Sequence, residues 1–166
     1  MSDMQANDIH KYMAGRLCDG SRVLEIGAGT GTEALSKLYE VTSIEHDPVW
    51  FNLYPDVNYI HAPLVDFEDG YFVTNTMWYD REALQNLPML DKFDAIIIDG
   101  PPGNVGRGGF LKNIDLFKSD LYIFDDTHRL WDFRNAGGVA DHFGVTFETH
   151  TNGFRWFSVV DLEKSA

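Results

Sequence analysis

The stretch Val23-Leu24-Glu25-Ile26-Gly27-Ala28-Gly29-Thr30-Gly31-Thr32 decides how the chain is read. An apolar run, Val23 to Ile26, meets three glycines at alternate positions, and Glu33-Ala34-Leu35-Ser36-Lys37-Leu38 then has helical character. Strand, tight glycine turn and helix form the first βα unit of a nucleotide-binding sheet. Glycines suit such a turn because it calls for positive φ and lets backbone N–H groups approach a ligand with no Cβ between. A second apolar run, Val41-Thr42-Ser43-Ile44, ends in Glu45-His46-Asp47. Glu45 lies about twenty residues beyond the turn region, where an acid at the tip of the second strand accepts hydrogen bonds from ribose hydroxyls.

Outward from this unit the same alternation continues. Upstream, Ile9, Tyr12, Met13 and Leu17 recur at helical spacing, so residues 4–17 read as an amphipathic helix. Downstream, Val57 to His61 is a third strand, followed by an irregular, aromatic-rich stretch from Ala62 to Trp78. Tyr79 to Leu87 reads as a helix that Asp80 caps and Pro88 stops. Phe93 to Ile98 is a continuous apolar run, as a central parallel strand covered on both faces requires. Phe110, Leu111, Ile114 and Phe117 give a helix and Leu121 to Phe124 a fifth strand. A helix from Leu130 to Phe143 follows, weakened by Gly137-Gly138. Val145–His150 and Phe154–Val160 flank Thr151-Asn152-Gly153 as a hairpin. The expected fold is therefore α/β: a doubly wound, mostly parallel seven-stranded sheet closed by a C-terminal antiparallel β-hairpin. Residues 1–166 read as one domain, with an N-terminal helix in 1–20, a Rossmann-like core in 21–160 and a tail at 161–166.

Composition narrows the partners. The 166 residues carry 26 acidic and 13 basic side chains, a formal charge of −13 that repels phosphate backbones, so nucleic acid is disfavoured as a substrate. No apolar run approaches the roughly 20 residues of a membrane span. The N-terminus lacks the basic and apolar regions of a signal peptide, and Cys18 stands alone, which excludes a disulfide framework and a cysteine zinc site. A cytoplasmic protein is the expectation. Oligomeric state stays open, with aromatics near Trp131 and Trp156 as interface candidates.

A sheet of this kind binds ligands outside the carboxyl ends of its strands. Each tip here carries a polar group: Glu25–Gly27, Glu45, His61, Asp99 and Asp125–Asp126. The turn Gly27-x-Gly29-x-Gly31 departs from the G-x-G-x-x-G of dinucleotide-binding proteins. With Glu25 before it and Glu45 after it, it resembles the S-adenosylmethionine (SAM) site of class I methyltransferases, and the resemblance extends from Val23 to Val160. It implies that Gly27, Ala28, Gly29 and Gly31 border the cofactor, with Glu25 supporting the turn. Glu45 would hold both ribose hydroxyls beside His46. His61 and Ala62 would edge the adenine, and Asp99 would face the methionine ammonium or the reacting centre.

Asp99 and the pair Asp125-Asp126 further resemble the metal-binding acids of catechol-type O-methyltransferases, which use an aspartate after strand four and an Asp-Asn pair after strand five. That resemblance implies Mg2+, or Mn2+ or Ca2+, on Asp99, Asp125 and Asp126, an all-oxygen set. An aspartate capping the helix that starts near Thr127 is the other reading of this pair. His128 is the general-base candidate, histidine being the side chain that exchanges protons near neutral pH; a packing role is its alternative. Asp99 and Asp125 complete the catalytic candidates. Arg107 and Arg129 are placed to grip an anionic substrate or a carboxylate of the site, with Lys112 a weaker candidate. Asp99-Gly100-Pro101-Pro102-Gly103 departs from the Asp-Pro-Pro-Tyr of amino-methylating DNA enzymes, since Gly100 is inserted and Gly103 replaces the stacking aromatic.

The expected activity is methyl transfer from SAM to an oxygen of a small molecule or sugar. A SAM-binding protein without turnover, an aminopropyltransferase and an NAD-dependent protein on the same fold are the alternatives. The aromatic segment 67–79 reads as an acceptor wall or as a cover for the sheet edge.

Overall fold

A computed structural model describes residues 3–67, 77–85 and 92–164. The elements in order are α1 (Asp3–Ala14), β1 (Arg22–Ile26), α2 (Thr32–Ser36), β2 (Glu40–Glu45) and β3 (Asn58–His61). They are followed by β4 (Leu64–Asp66), β5 (Met77–Tyr79), α3 (Arg81–Gln85) and β6 (Ala95–Ile98). The last are α4 (Gly109–Lys112), a 3-10 turn (Ile114–Leu116), β7 (Leu121–Phe124), α5 (Leu130–Phe143), β8 (Phe147–Thr151) and β9 (Trp156–Asp161). The main sheet has seven strands in the order β3-β2-β1-β6-β7-β9-β8. β3, β2, β1, β6 and β7 pair in parallel, and β9 pairs antiparallel to both β7 and β8. The expected sheet and its closing hairpin are therefore the observed ones.

Alternation along the strands separates two cores. Leu24, Ile26, Ile44, Ile60, Ile96, Ile98 and Phe124 face one side with Phe110 of α4 and Ala136, Val139 and Ala140 of α5. Val23, Val41, Ala95, Ile97, Leu121 and Ile123 face the other with Ile9 and Met13 of α1 and Leu35 of α2. Helices thus cover both faces, which is why Ala95–Ile98 is apolar at every position. Among the described residues, no helix is long and apolar enough to cross a membrane.

Three local readings change. Leu64–Asp66 and Met77–Tyr79 form a two-stranded antiparallel sheet with Leu64 opposite Tyr79; three-residue strands are too short for alternation to register in sequence. Tyr79 consequently ends a strand, and the helix starts at Arg81, where Asp80 Oδ1 accepts the Glu82 N–H at 3.0 Å. Trp78 and Tyr79 are core residues rather than a wall, while Tyr71, Phe72, Leu87 and Pro88 lie outside the described residues. The helix expected across Phe110–Phe117 is split at Asn113, whose side chain donates to the Gly109 carbonyl at 2.8 Å. α5 runs unbroken through Gly137-Gly138 for a packing reason: a Cβ on Gly138 would stand 2.6 Å from Leu111 Cδ2, so α4 and α5 approach closely there.

Candidate functional site

Register aligns the tips of the strands. Ile26 pairs with Ile44 and Ile98, and Ile98 with Phe124, so the residues that follow each, Gly27, Glu45, Asp99 and Asp125, stand in one row. Strand order reverses between β1 and β6, the switch point at which open α/β sheets bind ligands. A cavity of about 280 Å³ lies there. Its wall includes Glu25 and Gly29–Gly31 from the β1 side, Ile97, Asp99 and Asp125 from the β6–β7 side, His10 of α1, Trp50, and Arg155 of the hairpin.

The three glycines do different work. Gly27 has φ +92°, and a Cβ there would lie 2.6 Å from Gly100 Cα, so it is the seam where the β1 and β6 tips meet backbone to backbone. Gly29 and Gly31 do not have positive φ. A Cβ on Gly29 would meet nothing within 4 Å, which leaves its backbone open to the cavity. The positive-φ explanation therefore applies to Gly27 alone.

Glu25 lies inside β1, opposite Ser43 of β2, and is 5% exposed. Ser43 Oγ donates to Glu25 Oε2 at 2.9 Å, and Thr32 Oγ1 sits 2.8 Å from the same oxygen while accepting the Gly29 N–H at 2.8 Å. The acid thus reaches the glycine turn through Thr32. Burial pushes its pKa up to about 8, against the pull of the two hydroxyls, so at neutral pH it is chiefly the uncharged acid.

Glu45 is spent mainly on backbone. Its Oε2 accepts the Ala28 N–H at 2.8 Å, and Oε1 accepts the N–H groups of His46 and Asp47, each at 2.7 Å. With each oxygen able to accept about two hydrogen bonds, this geometry leaves room for one ribose hydroxyl on Oε2, not the two that the resemblance implies. Glu45, Gly27, Ala28, His46, His61 and Ala62 stand outside the cavity wall, whereas Glu25, Gly29, Gly31 and Asp99 are on it. The His61 ring lies 5.3 Å from the Phe51 ring, and Ala62 is buried in the core, its N–H donating to the Glu45 carbonyl.

At the other tips Asp99, Asp125 and Asp126 each bring a carboxylate oxygen within 4.8 Å of the others. Arg107, 4% exposed, holds them: Nη2 donates to Asp99 Oδ1 at 2.9 Å and to Asp126 Oδ2 at 3.3 Å. Its Nε and Nη1 donate to the carbonyls of Pro101 and Asp125. Arg129 Nη1 lies 3.0 Å from Asp126 Oδ2. Asp126 Oδ1 is buried without a hydrogen bond and has Arg155 Nη1 and His128 Nδ1 each at 3.9 Å. Burial in the cleft, then the charges of Asp99 and Asp126, push Asp125 up to about 8. Desolvation in the cleft raises Asp99 as well, opposed by Arg107, although its side chain stays 43% exposed.

The oxygen donors suit a hard divalent ion, but their surroundings do not fit one. Two carboxylates are already bridged by a guanidinium, and the free oxygen of Asp126 faces a further cation, Arg155. Unit charges 4 Å apart interact by about 4 kcal/mol at an effective dielectric near 20, a repulsion that a divalent ion doubles. The capping alternative also fails, since α5 begins after Arg129 with no side-chain cap. Of the remaining candidates, His128 is not on the cavity wall, and Lys112 Nζ lies 5.0 Å over the Phe67 ring.

Sequence reasoning missed His10 and Arg155, which α1 and the hairpin bring to the cavity from opposite ends of the chain. Among the described residues the His10 imidazole makes no hydrogen bond or ion pair, and burial lowers its pKa.

No family model matches the sequence, and no curated protein matches it. Solved structures do. The methyltransferase domain of bacterial CtHen1 aligns over 95% of this chain and 96% of its own at 10% identity, with a TM-score of 0.59. The O-methyltransferase TomG from Streptomyces achromogenes, in complex with SAM, aligns over 97% and 81% at 12% identity and TM-score 0.58. A human methyltransferase 10 domain containing protein aligns over 98% and 84% at 14% identity and TM-score 0.56. The switch-point cavity, the strand order and these likenesses agree: the chain has the fold of the class I methyltransferases.

Proposed function

We propose that this chain is a SAM-dependent methyltransferase acting on an oxygen of a small molecule or sugar. The observation that carries the reading is the switch-point cavity, bordered by Gly29–Gly31 on one side, with the backbone open at Gly29, and by Asp99 on the other. The residues fit the cofactor. Gly29 offers backbone with no side chain in the way, and a carboxylate at the β6 tip suits a ligand carrying ammonium and sulfonium charge. When bound, SAM supplies an electrophilic methyl group on a sulfonium sulfur.

The chain's own contribution is mostly placement, which in favourable cases supplies up to about 7–11 kcal/mol. Glu25, through Thr32, fixes the turn at Gly29. Glu45 ties Ala28 to the tip of β2 and keeps one acceptor site for a ribose hydroxyl. Arg107 holds Asp99 at the cavity wall. The base role falls to His10 in preference to His128: its imidazole lines the cavity, burial keeps it unprotonated at neutral pH, and a ring nitrogen is free to take the acceptor's hydroxyl proton. The charge of −13 supports a small acceptor over a polyanion.

The test is release of S-adenosylhomocysteine from SAM in the presence of a panel of hydroxylated small molecules and sugars. Release dependent on one of them is the expected result. SAM binding with no release from any would leave a cofactor-binding protein without turnover.

A further inference from the structure

We propose that Arg107 is a positioning residue that takes the place of a divalent cation, so that the three-aspartate edge is held by guanidinium charge from within the chain. The inference rests on the methyltransferase reading only for its consequence, that transfer proceeds without added metal. Arg107 is 4% exposed and engaged on every side: Asp99 Oδ1, Asp126 Oδ2, the carbonyls of Pro101 and Asp125, and Asp132 Oδ1 at 3.9 Å. Asn135 Nδ2 in turn donates to the Arg107 carbonyl at 2.9 Å, so α5 fixes the loop that delivers the guanidinium. A charge buried to this degree persists only when paired.

Asp126 supplies the second argument. Its backbone is left-handed, with φ +58°, a conformation that asparagine adopts as readily as aspartate. The backbone does not call for the extra negative charge. Arg107 and Arg129, 3.3 Å and 3.0 Å from its Oδ2, do. With Asp99, Asp126 and Asp132 against Arg107, Arg129 and Arg155, the edge carries its counter-charges already, and Arg107 bridges two of the three carboxylates, Asp99 and Asp126, that an ion would bridge.

The test is titration of the metal-free full chain with Mn2+, read as loss of the free-ion electron paramagnetic resonance signal, and it needs neither cofactor nor acceptor. The wild-type chain is expected to leave the signal undiminished up to about 1 mM Mn2+. Folded Arg107→Met is expected to bind one Mn2+ at least ~10-fold more tightly than wild type, about 1.4 kcal/mol. Arg129→Gln, at a partly exposed residue, keeps the question open to test if Arg107→Met does not fold, with a smaller gain in the same direction. One Mn2+ bound per wild-type chain and lost in Asp126→Asn would overturn the proposal, as would a folded Arg107→Met as silent as wild type. A chain silent toward both Mn2+ and SAM would overturn the proposed function and leave this inference standing.

Discussion

The tips of β1 and β2 and the tips of β6 and β7 both carry clustered acids, and they stabilise them by opposite means. At β1 and β2 the partners are uncharged: two hydroxyls for Glu25, and three backbone N–H groups for Glu45. At β6 and β7 the partners are guanidinium groups, Arg107 and Arg129. The difference teaches what each edge can offer a ligand. The first leaves backbone and one acceptor site open, with Glu25 neutral. The second holds a balanced charge cluster whose rim faces the cavity.

The largest expected effect comes where the two edges touch. Gly27→Ala adds a Cβ at φ +92°, 2.6 Å from Gly100 Cα, and neither backbone can retreat without opening the β1–β6 seam. A destabilisation above about 4 kcal/mol is expected, at the exceptional end for one substitution. Thermal unfolding measures it. A loss below about 1 kcal/mol would mean that the tips are not locked together.

Next is the pH response, which separates a neutral buried acid from a paired one. The Glu25 pKa in the fold, about 8, lies above its ordinary 4.5. Between these values the folded chain keeps a proton that the unfolded chain releases, so the contribution is intact below pH 4.5 and is lost as pH rises toward 8. Relative to Glu25→Gln, wild type is expected to lose on the order of 3 kcal/mol of unfolding free energy from pH 5 to pH 8. Parallel curves for the two proteins in urea at both pH values would contradict the account.

At the charged edge, Asp126→Asn keeps the left-handed backbone and removes the carboxylate facing Arg107 and Arg129. The expected cost is about 2 kcal/mol, because a buried guanidinium loses one partner and keeps Asp99. The smallest effect belongs to Thr32→Val, which removes the hydroxyl between Glu25 and Gly29. About 1 kcal/mol of stability is expected to go with it, and with the turn loosened, SAM titration is expected to show weaker binding. Should Thr32→Val cost more than Asp126→Asn, the ranking of the two edges is wrong.

The fold was legible because its main strands are apolar runs and its first turn is marked by glycine. Register then follows from parallel pairing, so Glu45, Asp99 and Asp125 could be placed on one edge from sequence. What sequence could not supply is who pairs with whom. Arg107 reads as a substrate grip until the fold brings Asp126, nineteen residues on, to its Nη2. Glu45 reads as a ribose clasp until its oxygens are found on Ala28, His46 and Asp47. His10 carries no signal at all, because its neighbours Ile9 and Met13 explain α1 as packing, and only the docked helix turns its imidazole to the cavity.

The central claim is that the turn at Gly29 receives an adenosyl sulfonium cofactor. Gly29→Val tests it most directly, since a side chain there meets no protein atom within 4 Å of its Cβ and projects into the cavity. Calorimetric titration of wild type is expected to show one SAM bound per chain and no heat with NAD. Gly29→Val is expected to keep the wild-type unfolding temperature while binding SAM at least ~10-fold more weakly, about 1.4 kcal/mol. Binding of NAD by a wild-type chain silent toward SAM, or SAM binding untouched by Gly29→Val, would contradict it.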